Sequence, residues 1–172
     1  MASPSVVRDM GETLASVLQA ALTGMVASAN VRIATPDIFH ELKPTPQPTC
    51  TIFLYRVAVN PAARSEPGAP PEGVSRPLLP VDLSYLITPW AKDPRDEHLM
   101  LGRIVQGLHD RAVLSGTDLI GASWAPGDTV RLALETMTMQ EQFCIWDTVE
   151  MPYRLSLSCV AQILDGIGGE GS

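Results

Sequence analysis

The stretch from Asn60 to Pro80 constrains this chain more than any other. Pro61, Pro67, Pro70, Pro71, Pro77 and Pro80, together with Gly68 and Gly73, exclude a helix or a regularly paired strand from it. The runs on either side have the opposite character. From Thr49 to Val59 the sequence is rich in β-branched and aromatic residues, and both alternating sets contain apolar members, the pattern of a central strand. Val81 to Thr88 alternates Val81, Leu83, Tyr85 and Ile87 with Asp82, Ser84 and Leu86, which predicts a second strand paired with the first. Compact domains seldom keep so long a connection without a use for it, so residues 60–80 are either a mobile solvated loop or an ordered arm that binds a partner.

Other elements follow from periodicity. Leu14, Val17, Leu18, Ala21, Leu22 and Met25 recur at spacings of three and four, predicting an amphipathic helix from Ser5 to Met25. Asn30 to Thr35 reads as a short strand stopped by Pro36, and Lys43 to Pro48 as a stiff connector. Asp93-Pro94-Arg95-Asp96-Glu97 carries a cap, a proline suited to the first turn and acids for the positive end of the dipole. The helix it starts should bury Leu101, Ile104, Val105, Leu108 and Ala112, with Ser115-Gly116-Thr117 closing it. A turn at Trp124 to Asp128 precedes a half-exposed strand, Thr129 to Thr136, with Val130, Leu132 and Leu134 on one side. A short helix is predicted at Gln140 to Thr148 and a last strand at Tyr153 to Ala161.

The expected architecture is α+β: a mixed, mainly antiparallel sheet of about five strands, with the Ser5 and Asp93 helices packed on one face. Residues 1–165 form one domain, and residues 166–172 are a flexible glycine-rich tail.

Composition narrows the partners. The 172 residues hold 12 Lys+Arg and 19 Asp+Glu, so 12 − 19 gives a net charge of −7. That balance disfavours phosphate backbones and anionic lipid, and no nucleic acid is expected as a partner. Thr13 to Val31 is uncharged, but Thr13, Ser16, Gln19, Thr23, Ser28 and Asn30 interrupt it, so no membrane span is expected. The N-terminus lacks the basic segment and apolar core of a secretory signal. Cys50, Cys144 and Cys159 are widely spaced and odd in number, which fits a reducing compartment rather than a disulfide framework.

No reactive constellation emerges. His98 and His109 lie eleven residues apart, not at the three or four that place two ligands on one helix face, so no metal is expected. No G-x-S-x-G occurs, Cys50 and Cys159 fall in strands as small apolar residues, and Gly166-x-Gly168-Gly169 meets the end of the sequence rather than a helix. Neither a catalytic residue nor a cofactor site is assigned. Trp90 ends a strand and Trp124 sits in a turn, which makes them the aromatic anchor candidates for a partner.

Four segments carry a resemblance: Phe53-Leu54-Tyr55-Arg56-Val57-Ala58-Val59-Asn60 with Arg64 beyond it, Leu83-Ser84-Tyr85-Leu86-Ile87-Thr88, Glu97-His98-Leu99-Met100-Leu101-Gly102, and Ile145-Trp146-Asp147 followed by Arg154-Leu155-Ser156-Leu157. In order and spacing they resemble the N-terminal domain of the tail-cap, or tube-terminating, proteins of extracellular contractile injection systems such as the antifeeding prophage and virulence-cassette particles. Arg154-Leu155-Ser156-Leu157 departs slightly from the Pro-Ser-Leu often found there.

The resemblance implies a structural part rather than an enzyme: a subunit of a ring, sixfold in expectation, that closes the end of the inner tube distal to the baseplate. Its implied partners are further copies of itself, the inner-tube protein and the sheath protein. It would assemble in the bacterial cytoplasm and remain in the finished particle. The candidate interface is Arg56, Asn60, Arg64, Glu66, Trp90 and Trp124, with the 60–80 arm and the termini as sources of backbone pairing. A tail-completion or connector protein of a contractile phage is one alternative, and a small cytosolic enzyme or ligand-binding domain is another.

Overall fold

In a computed structural model the described residues are 5–25, 29–42, 47–60 and 79–167. The amphipathic helix forms as α1, Val6–Leu22, and presents Val6, Met10, Leu14, Val17, Leu18 and Leu22 to the interior. Strand β1, Asn30–Ile33, leads into a short helix, α2, Pro36–Glu41. The β-rich run is β2, Thr49–Val59, and its predicted partner is β3, Leu79–Trp90. Helix α3, Pro94–Asp110, opens with the Asp93 carboxylate accepting the Arg95 N–H, the cap expected from the sequence. There follow β4, Val113–Ser115; β5, Thr129–Glu135; α4, Met139–Thr148; and β6, Leu157–Ile167.

The sheet has six strands in the order β1-β2-β3-β6-β5-β4. Only β1 and β2 run parallel; the other neighbours are antiparallel, which meets the mixed, mainly antiparallel expectation. The additional strand is β4, three residues that follow α3 where the sequence predicted the helix's closing turn. Helices α1 and α3 share one face, where their apolar stripes meet Cys50, Ile52, Leu83, Tyr85, Ile87, Val130, Leu132 and Ala161 in the main core.

Three local differences have physical causes. The buried stripe of α3 is Met100, Ile104 and Leu108, while Val105 and Ala112 are exposed, because α3 leans on α1 rather than lying flat on the sheet. Gly107 is part of that contact, since a β-carbon there would overlap the Ala21 side chain. The last strand starts at Leu157, not Tyr153, because Arg154 is held by Glu97 at 3.0 Å, which draws residues 151–156 toward the start of α3. It also continues to Ile167, pairing there with Leu79, so residues 166 and 167 belong to the sheet; residues 168–172 of the expected tail lie outside the described residues. Helix α2, short and spread around Phe39, was not foreseen.

Candidate assembly surface

The face of the sheet away from α1 and α3 holds a second apolar cluster, built from Ala34, Phe39, Leu86, Trp90, Trp146 and Val149. The Phe39 ring lies 5.6 Å from Phe53, 5.9 Å from Trp90 and 5.5 Å from Trp146 between centroids, distances at which aromatic pairs attract. Helices α2 and α4 are fixed to the sheet through this nucleus. It also disposes of one anchor candidate. Trp90 is only 5% exposed, its indole N–H donates to Thr51 Oγ1 at 2.9 Å, and the Arg154 guanidinium covers its ring at 4.7 Å. Ending a strand did not expose it, because α4 and the segment before β6 fold over that end.

Beside the aromatic cluster, the same face turns polar. A β-bulge falls between Leu54 and Arg56, so Arg56 comes opposite Ser84 and both join Tyr55 on this face. Arg56 Nε donates to Ser84 Oγ and one of its terminal nitrogens to Glu135 Oε1, each at 3.3 Å. The Tyr55 hydroxyl lies 2.9 Å from Ser158 Oγ and 3.3 Å from Glu135 Oε2. Side chains of β2, β3, β5 and β6 thus converge across the curled sheet. Next to them, Tyr55, Arg56, Glu135, Met137, Thr138, Gln140, Glu141, Cys144 and Ile145 line an open groove of about 450 Å³.

The groove's other wall is fixed by local chemistry. Thr138 and Glu141 make reciprocal cap bonds at the start of α4: the Thr138 N–H donates to Glu141 Oε2 at 2.8 Å and the Glu141 N–H to Thr138 Oγ1 at 3.2 Å. The bonds from the Thr138 backbone and hydroxyl hold the Glu141 carboxyl below its ordinary pKa. The groove therefore presents one arginine, two carboxylates and the exposed thiol of Cys144.

Asn60, at the end of β2, donates through its side-chain amide to both Asp82 carboxylate oxygens, at 3.0 and 3.1 Å, and its backbone N–H donates to the Pro80 carbonyl at 2.9 Å. It ties together the two ends of the 60–80 connection. Arg64 and Glu66 lie outside the described residues, as does the rest of 61–78. Trp124 is half-buried, with its indole N–H on the Ile120 carbonyl at 2.9 Å. The structure therefore brings Arg56 into the polar cluster, sets Asn60 at the root of the arm, and keeps Trp124 apart on the loop before β5.

That loop is held by a feature the sequence did not disclose. Asp9 on α1 is buried and accepts from the Ser123 N–H at 3.2 Å, from the Ser123 hydroxyl, and from Arg8 Nε at 2.8 Å. The Arg8 bond first and the Ser123 hydroxyl second hold its carboxyl below the ordinary value. Thr13, one turn on, accepts the Ile120 N–H at 2.9 Å. With 114 positions between Asp9 and Ser123, no spacing pattern announces the pair.

Burial pushes the thiols of Cys50 and Cys159 up to about 12, which leaves them protonated at neutral pH. No three His, Cys, Asp or Glu side chains are grouped to hold a metal ion, and no helix is long and apolar enough to cross a membrane, both among the described residues.

Comparison with known proteins supplies the wider context. Two solved structures share the fold. One is the sheath/tube terminator of the extracellular contractile injection system PVC in its extended state, with TM-score 0.62 and 18% identity over 96% of this chain. The other is the tube-terminating cap of the anti-feeding prophage, with TM-score 0.66 and 17% identity over 96% of this chain. This chain covers 61% and 56% of those two chains, so it corresponds to somewhat more than half of their length. No curated protein sequence matches. The Pvc16 N-terminal domain model matches residues 9–165, nearly the whole chain and a span that contains all four motifs. The chain belongs to the Pvc16 N-terminal domain family.

Proposed function

We propose that this chain is a structural subunit that terminates the inner tube of a contractile injection particle, acting through shape-matched surfaces rather than reactive side chains. One observation carries the reading: the fold is shared, over 96% of this chain, with the terminator of one such particle and the cap of another. The subunits form a ring, six in number, that meets the inner-tube protein on one side and the sheath protein at its rim. Assembly takes place in the bacterial cytoplasm. A terminator has to offer one face to a growing cylinder and withhold the other, and a closed ring of heterologous contacts does this. Arg56, Asn60, Arg64, Glu66 and Trp124, together with the 60–80 arm, supply partner contacts.

The test is to express the chain with its tube and sheath proteins and to image the particles with this subunit tagged. A tag density at the tube end distal to the baseplate, and tubes of unregulated length when the subunit is omitted, support the reading. Normal, uniform tubes without the subunit refute it. Deleting residues 64–76 should disturb ring formation or tube length if the arm makes contacts; normal rings and lengths would remove the arm from the interface.

A further inference from the structure

One edge of the sheet is blunted and two stretches are left open. At the outer side of β1 the Gln19 side chain donates to the Ala29 carbonyl at 2.9 Å and accepts the Val31 N–H at 3.2 Å, filling groups that another strand would need. But β1 ends with Ile33 opposite Ile52, so from Phe53 to Val59 strand β2 has no strand on its outer side among the described residues. At the opposite edge β4 pairs with β5 only as far as Val113 opposite Arg131, followed by one bond from the Leu132 N–H to the Ala112 carbonyl. Residues Ala133 to Glu135 then have no outer strand among the described residues.

The two open stretches correspond. Leu54 faces Tyr85, Tyr85 faces Cys159, and Cys159 faces Leu134; Arg56 likewise leads through Ser84 and Val160 to Ala133. Both therefore lie at one level of the sheet, and three successive antiparallel pairings make β5 antiparallel to β2. Two copies set side by side bring β5 of one against β2 of the next in a sense that can exchange backbone hydrogen bonds. The side chains agree. Val57 and Val59 sit opposite Leu83 and Val81 on the α1/α3 face, yet are 56% and 49% exposed. Leu134, opposite Cys159 on the same face, is 44% exposed. Each edge thus offers apolar surface that a neighbour would cover. A twofold β2-to-β2 contact would instead bring the Arg56 side chains of both copies to one seam, a like-charge arrangement that strand pairs disfavour.

We propose that neighbouring copies associate by pairing the open end of β5, Ala133 to Glu135, with the outer edge of β2, Leu54 to Val59, so that the sheet continues from subunit to subunit. The inference rests on the ring reading above and names the surface that makes the ring. Different strands meet on the two sides, so the contact is heterologous and propagates until it closes. So short a ladder is weak alone and is stabilised by closure.

Disulfide capture tests this in the full chain, with Cys144→Ser removing the exposed native thiol. L54C/C144S and L134C/C144S, mixed under mild oxidation, should give a cross-linked dimer, as should V57C in place of L54C if the register is shifted by two. The L54C/L134C/C144S chain should give a ladder ending at the mass of the ring seen by light scattering. Among residues 54–59, protection from exchange of the amides that point away from β3 should rise with protein concentration. A ring of full mass without this cross-link overturns the edge pairing and leaves the ring intact. Cross-links only between two L54C chains overturn it in favour of a twofold contact. A monomer at every concentration with no cross-link overturns both this inference and the ring. If those outward-pointing amides are already protected in the monomer, the edge is satisfied within one copy, which also overturns it.

Discussion

Replacing Gly121 by alanine should weaken the clamp between α1 and the loop that carries Trp124, and the size of the loss can be worked from two contributions. Gly121 has φ +110°, which L side chains rarely adopt, and holding a β-carbon there costs about 1–3 kcal/mol. The new methyl would also fall inside van der Waals contact with Asp9 Oδ2, Cγ and Cβ, so the whole side chain has to move rather than only its tip. Asp9 cannot swing freely, because Ser123 and Arg8 hold its carboxylate and α1 its backbone. Displacing it breaks at least one hydrogen bond to a charged group, about 1.5–3 kcal/mol. The sum is about 2.5–6 kcal/mol, against a total near 5–15 kcal/mol for a domain of this kind. At roughly 2–4 °C per kcal/mol, the melting temperature should fall by about 5–24 °C. Thermal and urea unfolding by circular dichroism measure it. In an Asp9→Gly background the same substitution should cost only the strain, about 1–3 kcal/mol, so a double-mutant cycle separates the two contributions. A Gly121→Ala protein that melts within about 2 °C of the parent would refute the reasoning, since even the strain alone predicts at least that much.

The depressed pKa of Asp9 makes its contribution depend on pH: it is complete above the ordinary carboxylate range and is lost as pH falls through the lower folded value. Asp9→Asn should therefore lower stability at neutral pH and flatten the decline on acidification; a variant as acid-sensitive as the parent would show that other carboxylates govern it. Trp146→Ala, which removes a ring only 1% exposed from the aromatic nucleus, should cost about 3–5 kcal/mol, whereas Phe143→Ala on the exposed side of α4 should cost under about 1.5 kcal/mol; urea titration compares them. Of the three cysteines, Ellman's reagent should titrate Cys144 rapidly in the native protein and Cys50 and Cys159 only on unfolding, and rapid reaction of all three would contradict the packing.

Much of the architecture was legible because it is written in local patterns. The three-and-four spacing of α1, the Asp93-Pro94 start of α3 and the alternation in β3 each act within a few residues, and each produced the element expected. The candidate surface was less legible. Arg56 was singled out from a motif, but its meeting with Glu135 depends on a bulge and on a curl that brings side chains from β2 and β5 together across two intervening strands. Trp90 was misjudged as an exposed anchor because exposure at a strand end depends on what folds over it, here α4 and Arg154.

The amino-acid sequence alone determined the class of fold, the pairing of β2 with β3 and, through four motifs in register, the family. Strand and helix periods, caps and proline breaks are short-range effects of backbone geometry, and they act before any distant contact forms. Tertiary structure alone decided the strand order, the burial of Trp90, the Asp9–Ser123 clamp, and the coincidence of two open edges at one level of the sheet. Those depend on pairings between residues from about 20 to more than 100 positions apart, whose free energy exists only once the chain has closed the intervening loops.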